Sequence, residues 1–106
     1  LAVEKETYIW AVKCLNGEIS PEMRMVALQW KGSNVKFRYY LDREPTDFIR
    51  ERAEIVAVNF DSGLSHPLDT LDIEFIFSGA PLGKLDCLDA VLFRRWENEA
   101  GTTSPD

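Results

Sequence analysis

Residues 46–78, TDFIRERAEIVAVNFDSGLSHPLDTLDIEFIFS, decide how the rest of the chain is read. Thr46 follows Pro45 and is placed to cap a helix, its hydroxyl accepting from an orphan N–H, with Asp47 in the first turn where a carboxylate is favoured. Phe48, Ile49, Arg52, Val56 and Phe60 recur at spacings of three and four, with Ala53 and Ala57 beside them. That pattern predicts an amphipathic helix over Thr46–Asp61, with Arg50, Glu51 and Glu54 on its wet side. The β-branched run Ile55–Val58 has strand-like composition, but the cap, the period and Gly63 as a stop favour helix. A turn-rich link through Pro67 follows. Leu71, Ile73, Phe75 and Phe77 then alternate with Asp72, Glu74 and Ile76, which predicts a strand over Leu71–Ser78 that Gly79-Ala80-Pro81 ends.

On the N-terminal side, Val35–Leu41 alternates, with Val35, Phe37, Tyr39 and Leu41 inward and Lys36, Arg38 and Tyr40 outward, as in a half-buried antiparallel strand. Lys31-Gly32-Ser33-Asn34 joins it as a hairpin link to a strand over Glu22–Trp30. Thr7–Leu15 is apolar on both alternating faces and reads as a covered strand, followed by an Asn16-Gly17 turn signal. Leu1–Glu6 reads as a frayed end. Beyond the centre, Leu82–Leu88 reads as a loop and Asp89–Trp96 as the last strand.

The expected fold is α+β and two-layer: a mainly antiparallel five-stranded sheet with one helix packed on one face, in the order β-β-β-α-β-β. A single helix leaves the far sheet face to solvent, which suits Lys36, Arg38, Tyr40, Asp72 and Glu74. Residues 1–96 are expected to form one domain and 97–106 a disordered tail.

The chain of 106 residues carries a formal charge of -6 with 28% charged residues. Residues 1–52 hold nine bases against eight acids, and residues 53–106 three bases against ten acids. Glu54, Asp61, Asp69, Asp72 and Glu74 fall between Ala53 and Gly83 with no Lys or Arg among them. This balance disfavours nucleic acid and anionic membranes as partners and suits a basic protein. No run reaches the ~18 apolar residues of a membrane span. No signal peptide is visible, although Leu1 is not an initiator Met, and cytoplasmic is the expected location. Cys14 and Cys87 read as buried thiols; one bridge between them is open but not indicated by spacing.

Motifs for chemistry are weak. His66, the only histidine, stands beside Ser65 and near Asp69, but there is no nucleophile elbow or oxyanion turn, and a loop histidine beside a proline is the better account. His66, Asp69 and Asp72 match no metal-binding signature, so no metal and no cofactor is expected. Asp72 and Glu74 share a strand face ~7 Å apart, which reads as a solvated face or an acidic binding strip rather than a glycosidase pair. Gly79, Gly83 and Lys84 make no phosphate loop. The aromatics fall mostly at core positions, and Tyr40, outward among charges, is a candidate interface anchor.

The segments DFIRERAEIVAVNFDSG (47–63), LDTLDIEFIFSGAPL (68–82) and LDCLDAVLFRRWE (85–97) resemble small bacterial immunity proteins of contact-dependent growth inhibition or colicin-type toxin systems, over roughly half the chain. The resemblance implies a non-enzymatic protein that binds a cognate toxin domain, often a basic-clefted nuclease, and occludes its active site or substrate path. Asp61, Asp69, Asp72, Glu74, Asp86 and Asp89 are the expected partner-binding residues, with Tyr40 beside them. A small adaptor or dimerisation domain is the alternative, and a ligand-binding or enzymatic pocket near His66 the third reading.

Overall fold

A computed structural model describes residues 3–97. The described elements run α1 (Lys5–Leu15), β1 (Met23–Lys31), β2 (Asn34–Leu41), α2 (Asp47–Ser62), β3 (Thr70–Phe77), a 3-10 turn (Leu82–Lys84) and β4 (Ala90–Arg94). The expected five strands and single helix are corrected to four strands and two α-helices among the described residues. The sheet order is β3-β2-β1-β4. β1 pairs antiparallel with β2 and β4, while β2 and β3 are parallel neighbours joined through α2.

The correction comes from the N-terminal segment, expected as a strand and a frayed end. Residues 5–15 are apolar at most positions, so alternation and the helical period fit them equally. Tyr8, Ala11 and Leu15, three and four apart, face the core with Cys14, and Ala11, Cys14 and Leu15 are buried. Glu6 in the first turn and Lys13 in the last complement the helix dipole. Asn16-Gly17 then forms a type II turn. Asn16 has φ -62° and ψ 122°, Gly17 has φ 87°, and the Glu18 N–H donates to Leu15 O at 2.9 Å. Val3 is buried and belongs to the core. Leu1 and Ala2 lie outside the described residues.

α2 forms where expected, and the Thr46 hydroxyl accepts from the Ile49 N–H at 3.2 Å. Ile49, Ala53, Val56, Ala57 and Phe60 are buried, whereas Phe48 is exposed under the Arg52 guanidinium. Gly63 follows the helix, but its φ is -94°, so a left-handed cap is not what requires glycine. A Cβ there would run into the Trp10 ring, whose Nε1 donates to Phe60 O at 2.9 Å. Gly63 is the gap through which α1 reaches the end of α2.

Both helices pack on one sheet face over Val26, Leu28, Val35, Phe37, Tyr39 and Leu41. Phe60 meets Phe37 and Trp30 edge-on at 5.2 and 6.2 Å. The hairpin is tighter than expected, with Lys31 opposite Asn34 and Gly32 at φ 60°. A register shift between Met23 and Met25 sends Met23 to the helix face and Met25 to the other.

The far sheet face, expected bare, is partly covered. Leu82 and Leu85 pack on Met25, Ala27 and Tyr40. The last strand is shorter than expected and ends at Arg94. Arg95 and Glu97 then fasten it. Arg24, 5% exposed, donates to both Glu97 carboxylate oxygens and to Ser78 O, and Arg95 donates to Pro21 O, Asp42 and Glu97. Of the expected tail, Glu97 makes these bonds and residues 98–106 lie outside the described residues. Cys14 and Cys87 are both free; Cys14 is buried as expected, its thiol pushed up by burial, but Cys87 is exposed.

Candidate partner-binding surface

The structure divides the seven residues singled out in the sequence into two groups. Asp86, Asp89, Glu74 and Tyr40 are engaged within the chain. Asp86 Oδ1 accepts from the Leu88 N–H at 2.9 Å and supports Leu88 at φ 54°, a conformation costly for a branched side chain. Asp89 Oδ2 accepts from the Trp30 N–H at 2.7 Å and ties the last loop to β1. Arg38 donates to Glu74 Oε1 at 2.7 Å, and its guanidinium holds that carboxyl below its ordinary value; Lys36 stands 3.6 Å away on the same oxygen. Tyr40 is 3% exposed rather than an outward anchor. It shares the face of Lys36 and Arg38 as the alternation implies, but the 79–89 segment covers it and its hydroxyl donates to Asp86 O at 2.8 Å.

Asp61, Asp69 and Asp72 form the other group. All three are exposed, and among the described residues no ion pair reaches their carboxylates. Asp61 lies in the last turn of α2, which carries no base there. Its charge opposes the negative end of the helix dipole, so it costs helix stability rather than adding to it. Asp72 projects from β3 on the side away from α2, and Asp69 leads into that strand.

The sequence places Glu51 and Glu54 on the wet side of α2 and offers Asp61 as a contact, but it does not join them with exposed Val58 and Ile55 into one outer stripe. Glu51, Glu54, Val58 and Asp61 follow one another at spacings of three and four, and Ile55 lies alongside. Val58 is 66% exposed and Ile55 37%. The signal available was the β-branched run at 55–58, half of which lies off the helix's buried stripe. Beside it, a groove of about 350 Å³ opens between α2 and β3, lined by Glu54, Ala57, Val58, Asp61, Leu71 and Ile73. Its floor is aliphatic and its rim carries two carboxylates. That combination suits a long basic side chain, whose methylene stem lies on apolar surface while its charged head reaches an acid.

The alternative chemistries find no geometry. Ser65 and His66 are exposed on the loop before β3, and among the described residues no hydrogen bond joins them to each other or to Asp69. The cleft at His66 is about 220 Å³ and is lined mostly by loop residues with Trp30 and Leu64. No group of three or more His, Cys, Asp or Glu among the described residues is placed to hold a metal ion. No helix among them is long and apolar enough to cross a membrane.

Compared with known proteins, residues 4–97 match the MafI2 immunity protein family. No curated protein matches the chain.

Proposed function

The chain belongs to the MafI2 immunity protein family, and from that premise we propose that it neutralises its cognate toxin domain by docking the acidic α2–β3 side onto a basic surface of that domain. A protein of a bacterial toxin-immunity system that is not an enzyme acts by binding. The observation that carries the choice of surface is that, among the described residues, no ion pair reaches Glu54 and Asp61 on the rim of an exposed apolar groove, or Asp69 and Asp72 at the start and on the far face of the adjoining β3. Like charges held together without counterions are mutually repulsive, and a basic partner relieves that repulsion as it docks.

The toxin is read as a nuclease whose phosphate-binding cleft the acids occupy in place of nucleic acid, in the cytoplasm of the cell that makes both proteins. Long-range attraction then speeds the encounter, and the preformed sheet and helix limit the ordering cost of binding.

The test uses the cognate toxin domain, sought first in the gene immediately upstream of this chain's gene. It is expected to form a tight complex whose on-rate falls with salt. The double reversal Asp61→Lys with Asp72→Lys is expected to slow association by about tenfold at low salt, with thermal unfolding little changed. Unchanged binding at low salt overturns the choice of surface. A toxin domain that cleaves neither DNA nor RNA overturns the nuclease reading.

A further inference from the structure

β3 is the outer strand on the α2 side of the sheet. It runs eight residues and pairs in continuous register with β2 from Asn34↔Thr70 to Leu41↔Phe77. The Thr70 N–H donates to Ser33 O at 3.3 Å and the Ser78 N–H to Leu41 O at 3.2 Å, both toward β2. Backbone groups alternate sides along a strand, so those of Asp72, Glu74 and Ile76 also face β2. Those of Leu71, Ile73, Phe75 and Phe77 face away. Among the described residues, no hydrogen bond reaches these outward groups. The result is an open edge of roughly 25 Å, a template for another strand.

We propose that the toxin domain presents an extended segment with alternating basic residues, which adds to the free edge of β3 as a fifth strand. This rests on the acidic-surface reading above and specifies how that surface is engaged. An added strand directs alternate side chains to the two sheet faces. On the helix side they enter the groove floored by Ala57, Val58, Leu71 and Ile73 and rimmed by Glu54 and Asp61. On the far side they pass Asp72. Lys or Arg fits both places, with its stem on the aliphatic floor and its charge on a carboxylate. Main-chain bonds then supply affinity, and the acids on either side select the partner. A second copy of this chain fits poorly, because its own β3, Thr70–Phe77, would bring Asp72 and Glu74 and no Lys or Arg to those places.

Residue-resolved amide exchange on the full chain, alone and with the inactivated cognate toxin domain, tests this. In the free protein the Leu71, Ile73, Phe75 and Phe77 amides are expected to exchange fast and those of Asp72, Glu74 and Ile76 slowly. In the complex the fast set is expected to become protected. Ile73→Pro deletes one outward N–H at a position where an edge strand tolerates proline, and is expected to weaken binding about tenfold. A complex in which the outward amides stay fast overturns strand addition while leaving the acidic-surface reading standing. Protection of those amides in the free protein at high concentration assigns the edge to self-association and overturns the basic occupant. Absence of any complex removes both readings together.

Discussion

Each helix leaves a groove against an outer strand, and the two grooves differ in almost every physical respect. Between α1 and β4 the lining is Val12, Leu15, Ile19, Leu92 and Phe93, with Asn16 and Lys13 as its polar residues. There the outer strand is five residues long, its pairing with β1 shifts register after Val26, and Val91 O accepts from the Tyr8 hydroxyl at 3.0 Å. Between α2 and β3 the lining carries Glu54 and Asp61, and the strand is longer, regular and, among the described residues, unpaired outside. Short bulged strands and occupied edge groups are how sheets avoid pairing with strangers. One side of this molecule uses those devices, and the other relies on negative charge alone. On the proposed reading the difference makes charge a selective guard, one that would repel a second copy and admit a basic partner.

The largest expected effect breaks the fastened side. Arg24→Ala removes the buried guanidinium that joins β1, Ser78 and Glu97. It is expected to cost about 3–5 kcal/mol, because Glu97 is left with a diminished partner set; chemical denaturation measures it, and a cost under ~1 kcal/mol contradicts the role given to Arg24. Next comes the seam between the helices. Gly63→Ala drives a Cβ into the Trp10 ring and is expected to cost about 1–3 kcal/mol, with a shift in Trp fluorescence that a purely conformational effect of alanine does not produce.

Acid titration compares the two sides directly. Glu97 is held below its ordinary value of 4.5 first by Arg24 and then by Arg95, and Glu74 below the same value first by Arg38. A carboxyl depressed in the folded state adds stability that is present above its unfolded value and is lost as pH falls through the folded one. Stability is therefore expected to decline below about pH 4.5. Glu97→Gln is expected to flatten that decline more than Glu74→Gln, since the Glu97 side chain is 17% exposed and that of Glu74 38%. Equal flattening in denaturation series from pH 5 downward contradicts the contrast. The smallest effect on stability falls on the open side. Asp72→Val is expected to change unfolding by less than ~0.5 kcal/mol yet to promote concentration-dependent association in light scattering. Arg94→Val, on β4, is expected not to.

Much of this architecture was readable from residues alone, and the exceptions have physical causes. The hairpin, the capped α2 and the alternating β3 each carry a period and a punctuating residue, and each forms within a few positions of its expected bounds. Residues 5–15 carry apolar side chains at both periods, so nothing local separates a helix from a covered strand; packing of Ala11 and Leu15 against the sheet decides it. Tyr40 does point to the predicted sheet face, but its burial depends on Leu82 and Leu85 arriving from a segment with no periodic signal. The acidic run was evident in composition. Which acids stand free was not, because Arg38 reaches Glu74 only through the parallel pairing of β2 with β3. The groove likewise needs the strand order that places β3 at the edge.

The contrast between the grooves is tested most directly by placing one positive charge in each. Val58→Lys puts it in the α2–β3 groove and Ile19→Lys in the α1–β4 groove, both at exposed aliphatic positions. The net charge changes equally, so any difference in affinity for the toxin domain is local. Calorimetric titration is expected to show Val58→Lys weakening the complex by about tenfold or more, with Ile19→Lys close to the unmodified protein. Equal losses, or a larger loss for Ile19→Lys, contradict the assignment of the toxin-binding surface to the α2–β3 side.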